Sequence, residues 1–380
     1  MRSLTWPEVW QRRLARHHLT QPGASIPEVV RATCGIHAQV QSSAEVSIGL
    51  RTQGTTQRDV RMAVWQDRTL VRTYGLRGTV HLFAADDVAT WLAALRAKAP
   101  PRPPNKHEEA ALPAARVAEV VEAMRDALDG ACLDRAALAR ALEERLGAWI
   151  THETYPGFDT YLPPWHLALA PAATAGVLAF GPSRGTAVTY VRLDQWLGPL
   201  PEIDGQRALH EVLKRFLRTY GPATPAEFAR WFLTSGTCAR RVFDEVGDAL
   251  EEVEVEGWHA WQLRGDEAAQ AQSSAHLLPY FDVYIVGGYP RDRLIPAAAP
   301  PIFRKTGTAA GFTVMLVDGV LGGCWKQTRH GKRLEIRVDP FVTLSSAQRD
   351  QLEAQAKRIG DILESPVDFA FDKVEPKGHW

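Results

Sequence analysis

An α+β chain, with three tandem winged-helix modules followed by a C-terminal β-rich unit, is what three features of the sequence predict. Apolar residues recur at helical spacing over most of the first 250 or so positions, broken by short strand-like runs. The order of three helices and then a hairpin is clearest over residues 205–266 and can be traced twice more upstream. From Ala275 onward the texture changes to alternating and β-branched residues.

The first module covers residues 1–98. Thr5-Trp6-Pro7-Glu8 is a capping box, and Trp6, Val9, Trp10 and Leu14 give the helix it opens one apolar face. Arg12, Arg13 and Arg16 on that helix read as a solvated face. A second helix is expected around residues 27–34. Strand-like runs at 71–74 and 79–83 flank a turn at 75–78, and Asp86-Asp87 opens a helix carrying Val88, Trp91, Leu92 and Leu95. The run Ala99-Pro100-Pro101-Arg102-Pro103-Pro104 cannot be helical and reads as a stiff linker.

The second module, residues 107–198, has the stripe Val117, Val120, Val121, Met124 and Leu128, a helix restarting at Leu133-Asp134, and a wing strand at 188–193. In the third, Leu209, Val212, Leu213, Phe216 and Leu217 share a helix face that Gly221-Pro222 ends. Thr224-Pro225-Ala226-Glu227 caps the next helix, which carries Phe228, Trp231 and Phe232. A third helix with Val242, Phe243, Val246 and Leu250 precedes two short strands around Gly257. In the β-rich unit, residues 275–380, strands are expected at 280–286, 312–317, 320–325 and 334–338. Asp318-Gly319 is a hairpin signal, and residues 344–363 are helical in character. Trp6, Trp10, Trp91 and Trp231 fall on apolar stripes and are expected in the core.

Composition narrows the function classes. The 380 residues carry 44 Lys+Arg against 44 Asp+Glu, so any surface for a polyanion must be local. Cys34, Cys132, Cys238 and Cys324 lie far apart without paired spacing, which argues against a zinc site or disulfide framework and fits a reducing cytoplasm. The longest apolar tract, residues 167–180, contains Pro171 and is too short to span a bilayer. No P-loop, dinucleotide fingerprint or Ser-His-Asp order stands out, so no nucleotide cofactor is expected.

Chemistry concentrates at Gly35-Ile36-His37-Ala38-Gln39-Val40-Gln41. An extended segment would turn His37 and Gln39 to one side, pairing an imidazole with an amide able to position a water. Two basic clusters stand out: Arg72, Arg77 and His81 near the first hairpin, and Lys326, Arg329, His330, Lys332 and Arg333 around the turn between Trp325 and Leu334. The latter reads as a hairpin suited to collecting phosphates. Asp282, Arg291, Asp292 and Arg293 read as ion pairs rather than open metal ligands, and no metal is expected.

Together with LVRTYGLRGTVHLF at 70–83 and HLLPYFDVYIVGGYPRDR at 276–293, this loop resembles the winged-helix DNA glycosylase family typified by AlkZ, along almost the whole chain. The resemblance implies excision of bulky alkylated bases, interstrand crosslinks included, and a catalytic signature of Gln, an apolar residue and Gln. Keeping Gly35-Ile36 as the lead-in, in register with Gly49-Leu50-Arg51, places the signature on His37-Ala38-Gln39, a departure at the first position. A slip of two residues gives Gln39-Val40-Gln41 intact, with Gln41 as the alternative second amide. The nearest lysine in sequence is Lys98, so simple hydrolysis without a Schiff base is expected. The expected partner is double-stranded DNA carrying alkyl lesions, met by a monomer. The alternatives are a winged-helix transcription regulator without chemistry and a damage-binding protein that has lost catalysis through the change at His37.

Overall fold

The computed structural model describes residues 2–152, 154–157, 160–267, 270, 272–305 and 309–379. The fold is mixed α+β, and its contacts divide it into two compact units. One comprises residues 1–63, 213–228 and 243–380; the other comprises 64–212 and 229–242.

In the first unit a five-stranded sheet takes the order Ala275–Leu278, Val314–Val317, Val320–His330, Arg333–Pro340, Val367–Phe371. The first four strands are antiparallel neighbours, and the last runs parallel to Arg333–Pro340 after a crossover through the helix Ser346–Ile362. Asp318-Gly319 forms the two-residue connection its sequence predicts. The crossover helix packs Leu352, Ala356, Ile359 and Ile362 against Leu277, Met315, Trp325, Ile336 and Val338 of the sheet. A second sheet pairs Arg2–Leu4 parallel to Leu250–Val255, which is antiparallel to Trp258–Leu263. Trp6, Trp10 and Leu14 of the helix Trp6–Arg16 are buried with Val253 and Val255 of this sheet and Tyr284 and Ile285.

The helix Gln41–Arg51 is held from two directions in this unit. Its Gly49 lies so close to the crossover helix that a Cβ would come within 2.6 Å of Ile362 Cγ1, so only glycine admits this approach. Arg358 Nη2 donates to the carbonyls of Gly49, Thr52 and Thr55 at 2.9, 3.1 and 2.7 Å, satisfying acceptors that a helix end leaves open.

The second unit contains the hairpin of Leu70–Tyr74 and Val80–Ala84, the helix Val88–Ala97, and the helices Ala114–Ala127, Arg135–Leu146 and Trp165–Thr174. A small sheet orders Leu133–Asp134, Ala187–Arg192 and Leu178–Arg184. Trp91 and Trp231, both helical residues of this unit, meet edge to face, 6.4 Å between centroids. The helices Gly205–Tyr220, Pro225–Phe232 and Gly236–Val246 follow in chain order, then the strands Leu250–Val255 and Trp258–Leu263. All five stripe residues of Gly205–Tyr220 are buried. Among the described residues no helix is long and apolar enough to cross a membrane.

Three expectations are corrected. Arg12 and Arg13 are not solvated but buried: Arg12 Nη1 donates to Gln262 Oε1 at 2.8 Å, and Arg13 donates to the carbonyls of Gly221, Pro222 and Tyr289. For Arg13 backbone carbonyls take the place of an acidic residue that a sequence pattern could reveal. Residues 280–286 are not a strand. Pairing stops at Leu278 before Pro279, and Asp282 accepts from the Tyr284 N–H at 3.0 Å to cap a short helix, Val283–Gly287. The basic segment after Trp325 is not a long turn either, because both strands continue to His330 and Arg333 around Gly331-Lys332.

Two histidines in the first unit make stability acid-sensitive. His276 is buried with Nδ1 2.9 Å from Gln355 Nε2, and burial together with the charge of Arg51 lowers its pKa to about 4. His17, fully buried edge-on to Tyr220 and Tyr284, is held well below the usual histidine value by burial, then by Arg51 and Arg13. Because the unfolded chain takes up protons from about pH 6.5 downward while the folded state refuses them, stability is present above 6.5 and is lost as pH falls towards 4. Each histidine should contribute a decline of up to about 1.4 kcal/mol per pH unit in that window, seen in urea titrations at pH 7.5, 6.0 and 5.0. His276→Gln should flatten the dependence; an unaltered slope in that variant would contradict the assignment.

Candidate active site

The helix Ile26–Ala32 ends at Thr33, and two successive left-handed residues, Cys34 at φ 62° and Gly35 at φ 89°, turn the chain. Gly35 takes this conformation at no steric cost; Cys34 does not, and its thiol sits 3.4 Å from Thr219 Oγ1. The extended stretch is short, only Ile36–His37, and Gln39 lies in the bend before the helix Gln41–Arg51. His37 is buried and Gln39 exposed. The expected extended loop is therefore confined to its first half, the lead-in to Gln39 rather than Gln39 itself.

His37 lies flat on Phe281, ring centroids 5.0 Å apart at 23°. Phe281 is itself strained. Its φ of 57° is left-handed, which costs a bulky residue about 1–3 kcal/mol, and its N–H donates to the Ala310 carbonyl at 2.6 Å. What over-determines that turn is the next residue. Asp282 forms a two-pronged ion pair with Arg51, Oδ1 to Nη2 at 2.7 Å and Oδ2 to Nη1 at 2.8 Å, with both side chains inaccessible to solvent. Ser47 Oγ donates to the same carboxylate at 2.8 Å. Thus the reading of Asp282 as an ion-pair residue holds, but its partner is Arg51 at the end of the helix that follows the loop. Arg291 instead donates to the carbonyls of Ile285 and Val286, and Asp292 lies 4.0 Å from Arg293.

Gln41 belongs to a different network. Its Nε2 donates to Glu45 Oε1 at 3.0 Å, and the buried Glu45 receives Arg61 through both oxygens at 2.7 and 2.9 Å. The hydrogen bond with Glu45 raises the Arg61 pKa. The loop thus presents His37 against an aromatic wall and Gln39 at its exposed bend, with Gln41 directed along its own helix.

The two basic clusters differ. Arg72 is buried with its guanidinium 4.6 Å over the Phe180 ring, and His81 is buried, stacked on Phe83, with Nδ1 3.0 Å from the Thr79 carbonyl. Arg77 is half-buried and donates to the Trp231 carbonyl at 2.9 Å. These geometries anchor the second unit rather than offer cations to solvent. On the long hairpin the basic residues are exposed. Arg329 Nη1 donates to Ser365 Oγ at 3.0 Å, and Arg333 is bridged to Asp368 at 2.6 and 2.9 Å. His330 lies 3.7 Å from Glu335, which Arg337 also engages. Lys326 and Lys332 make no ion pair among the described residues. The neighbouring strand Val367–Phe371 supplies the acidic partner of Arg333, which the basic run itself did not reveal.

With the geometry established, the relatives of the chain are informative. The family model "DNA glycosylase AlkZ-like" matches residues 30–362, and the chain belongs to this family. It is 30% identical over 373 residues to an interstrand DNA cross-link repair glycosylase of Streptomyces sahachiroi, covering 93% of this chain and 95% of that protein. The solved structure of the Streptomyces sahachiroi DNA glycosylase AlkZ is similar at a TM-score of 0.80 and 28% identity, over 97% of this chain and all of the other. Family and fold make the chain a DNA glycosylase rather than a regulator without chemistry.

Removing one partner of the ion pair should leave the other buried and uncompensated. Asp282→Ala is expected to lower unfolding free energy by about 3–5 kcal/mol, read from urea titrations, whereas Arg51→Met with Asp282→Leu should recover much of the loss. A single variant as stable as the parent would show that the pair does not hold this turn.

Proposed function

We propose that this protein is a monofunctional DNA glycosylase that releases bulky guanines alkylated at the seven position, crosslinked guanines included, by hydrolysis of the N-glycosidic bond. The observation that carries the reading is the loop after residue 35, where His37 is fixed against Phe281 and Gln39 is left exposed two residues on. Alkylation makes the purine cationic, so it departs readily with the electron pair of its bond to the sugar, and the site need only stabilise the positive sugar carbon and supply water. Gln39 would hold that water by hydrogen bonds. His37 would accept its proton as the oxygen bonds to the sugar carbon. The immobilised ring suits a group that must keep one orientation, whereas Gln41, engaged by Glu45, suits a supporting role. No lysine lies near the loop in sequence, which favours hydrolysis over a Schiff-base step.

The same proposal gives the chain three winged-helix modules, residues 1–98, 107–198 and 205–266, and a β-rich unit, 275–380, acting as a monomer in the cytoplasm. The duplex would be gripped by the hairpin of Val320–His330 and Arg333–Pro340, through Lys326, Arg329 and Lys332, with His330 and Arg333 beside them. This grip is local, as a chain without net charge requires.

His37→Ala and Gln39→Ala should each slow single-turnover release of a seven-alkylated guanine by roughly 10² to 10⁴, with duplex affinity nearly unchanged, while Gln41→Ala should cost less. Parent-like rates in both variants with a slow Gln41→Ala would place the signature on Gln39-Val40-Gln41 instead. The hairpin is tested separately. Replacing Lys326, Arg329 and Lys332 together by alanine should flatten the slope of log affinity against log salt by on the order of 2 to 3. Arg333→Ala alone should alter it by clearly less than about 0.9, since Asp368 already neutralises it. An unchanged slope in the triple variant would remove the hairpin from the DNA surface.

A further inference from the structure

The ring behind His37 is not isolated. Phe281 is only half-buried, and its neighbour Tyr280 is half-buried as well. The chain's last segment comes back to this pair. Val374 is buried, its N–H 3.3 Å from Asp339 Oδ2, the Tyr280 hydroxyl donates to the Lys377 carbonyl at 3.4 Å, and the His379 N–H donates to the Gly311 carbonyl at 2.9 Å. These bonds set the exposed imidazole of His379 edge-on to both rings, 5.5 Å from Tyr280 at 71° and 6.1 Å from Phe281 at 63°. The result is a connected set of rings within one unit, His37 against Phe281, Phe281 against His379 and His379 against Tyr280. Tyr280 and Phe281 are open to solvent in part and His379 is exposed, and the backbone at Phe281 is in the left-handed region.

We propose that Tyr280, Phe281 and His379 form a stacking surface beside His37 that receives a flat aromatic ring of the lesion. The inference rests on the glycosylase reading above and adds the residues that recognise the lesion. Partly exposed rings held by main-chain bonds are pre-organised for stacking, because little side-chain freedom remains to be lost on binding. An aromatic face tolerates any planar partner, so it favours a flat ring without fixing its hydrogen-bonding pattern. That ring has two possible sources, the damaged purine and an aromatic substituent on it. Tyr280 and His379 contribute to binding, not to bond cleavage.

The test uses the full-length protein and two duplexes, one carrying a single 7-methylguanine and one a single 7-benzylguanine. Single-turnover release is measured against enzyme concentration for the parent, Tyr280→Ala, His379→Ala and His379→Phe. The alanine variants should raise the half-saturating concentration roughly 5- to 100-fold, as loss of one base–aromatic stack implies, with maximal rate within about threefold of the parent. A rise with both duplexes identifies the purine as the stacked ring; a rise with the benzyl duplex alone identifies the substituent. His379→Phe should restore affinity, because stacking needs a ring and not a titrating nitrogen. Unchanged half-saturation on both duplexes, a fall in maximal rate alone, or failure of phenylalanine to rescue would each overturn the proposal. If the parent releases neither base, the reading of seven-alkylated guanine as the substrate falls by itself. Fluorescence anisotropy with the same duplexes then still decides the surface: weaker binding of either duplex by Tyr280→Ala and His379→Ala, restored in His379→Phe, upholds it, and affinities in the alanine variants equal to the parent's refute it.

Discussion

The pairing of Arg51 with Asp282 is the constraint on which the candidate site depends. It ties the end of the helix that follows the candidate loop to the turn that carries Phe281. Such a pair, inaccessible to solvent, contributes little net stability, because desolvation offsets most of its attraction. Its value lies in geometry: a guanidinium and a carboxylate meeting through two parallel bonds admit one relative placement, and an apolar contact would admit several. Phe281 can then remain in a conformation its side chain disfavours, and His37 has a surface that does not move away. Arg358 and the close approach at Gly49 hold the other side of the same helix, so the loop is flanked by an element fixed at several points.

Charge on the long hairpin follows a similar economy of placement. Glu335 and Asp368 neutralise the cations nearest the adjacent strand, leaving Lys326, Arg329 and Lys332 as the most available positive groups. A net charge of zero therefore hides a divided surface. Cations compensated within the sheet keep it folded without strong self-repulsion, while the remainder stay exposed to solvent.

Local features were the legible ones. The capping box at Thr5, the stripe from Leu209 to Leu217, the buried tryptophans and the Asp318-Gly319 hairpin each depend on residues within a turn or two of one another, and each is present. The ionic character of Asp282 was readable from its apolar setting, but not its partner 231 residues away. Arg12 and Arg13 looked like a solvated face because their partners, an amide and backbone carbonyls, carry no charge signal in a sequence. Phe281 was hidden twice over, since nothing local marks an aromatic residue that will be forced to positive φ, and the apolar run around it mimics a strand. The candidate loop was singled out from its residue types and family pattern, whereas its aromatic surroundings come from positions near 280 and 379.

The unit containing the loop is assembled from three separate stretches of chain, the last extending to the end of the sequence. The ribosome makes His37 and Gln39 about 240 residues before the turn that backs His37, and the crossover helix whose Ile362 meets Gly49 comes later still. Contacts so distant along the chain cannot form during the first part of synthesis, however fast local helices appear. The surroundings of His37 are therefore complete only once these later segments have been made. A fragment broken off or stalled before the crossover helix would carry His37 and Gln39 without the framework that holds them.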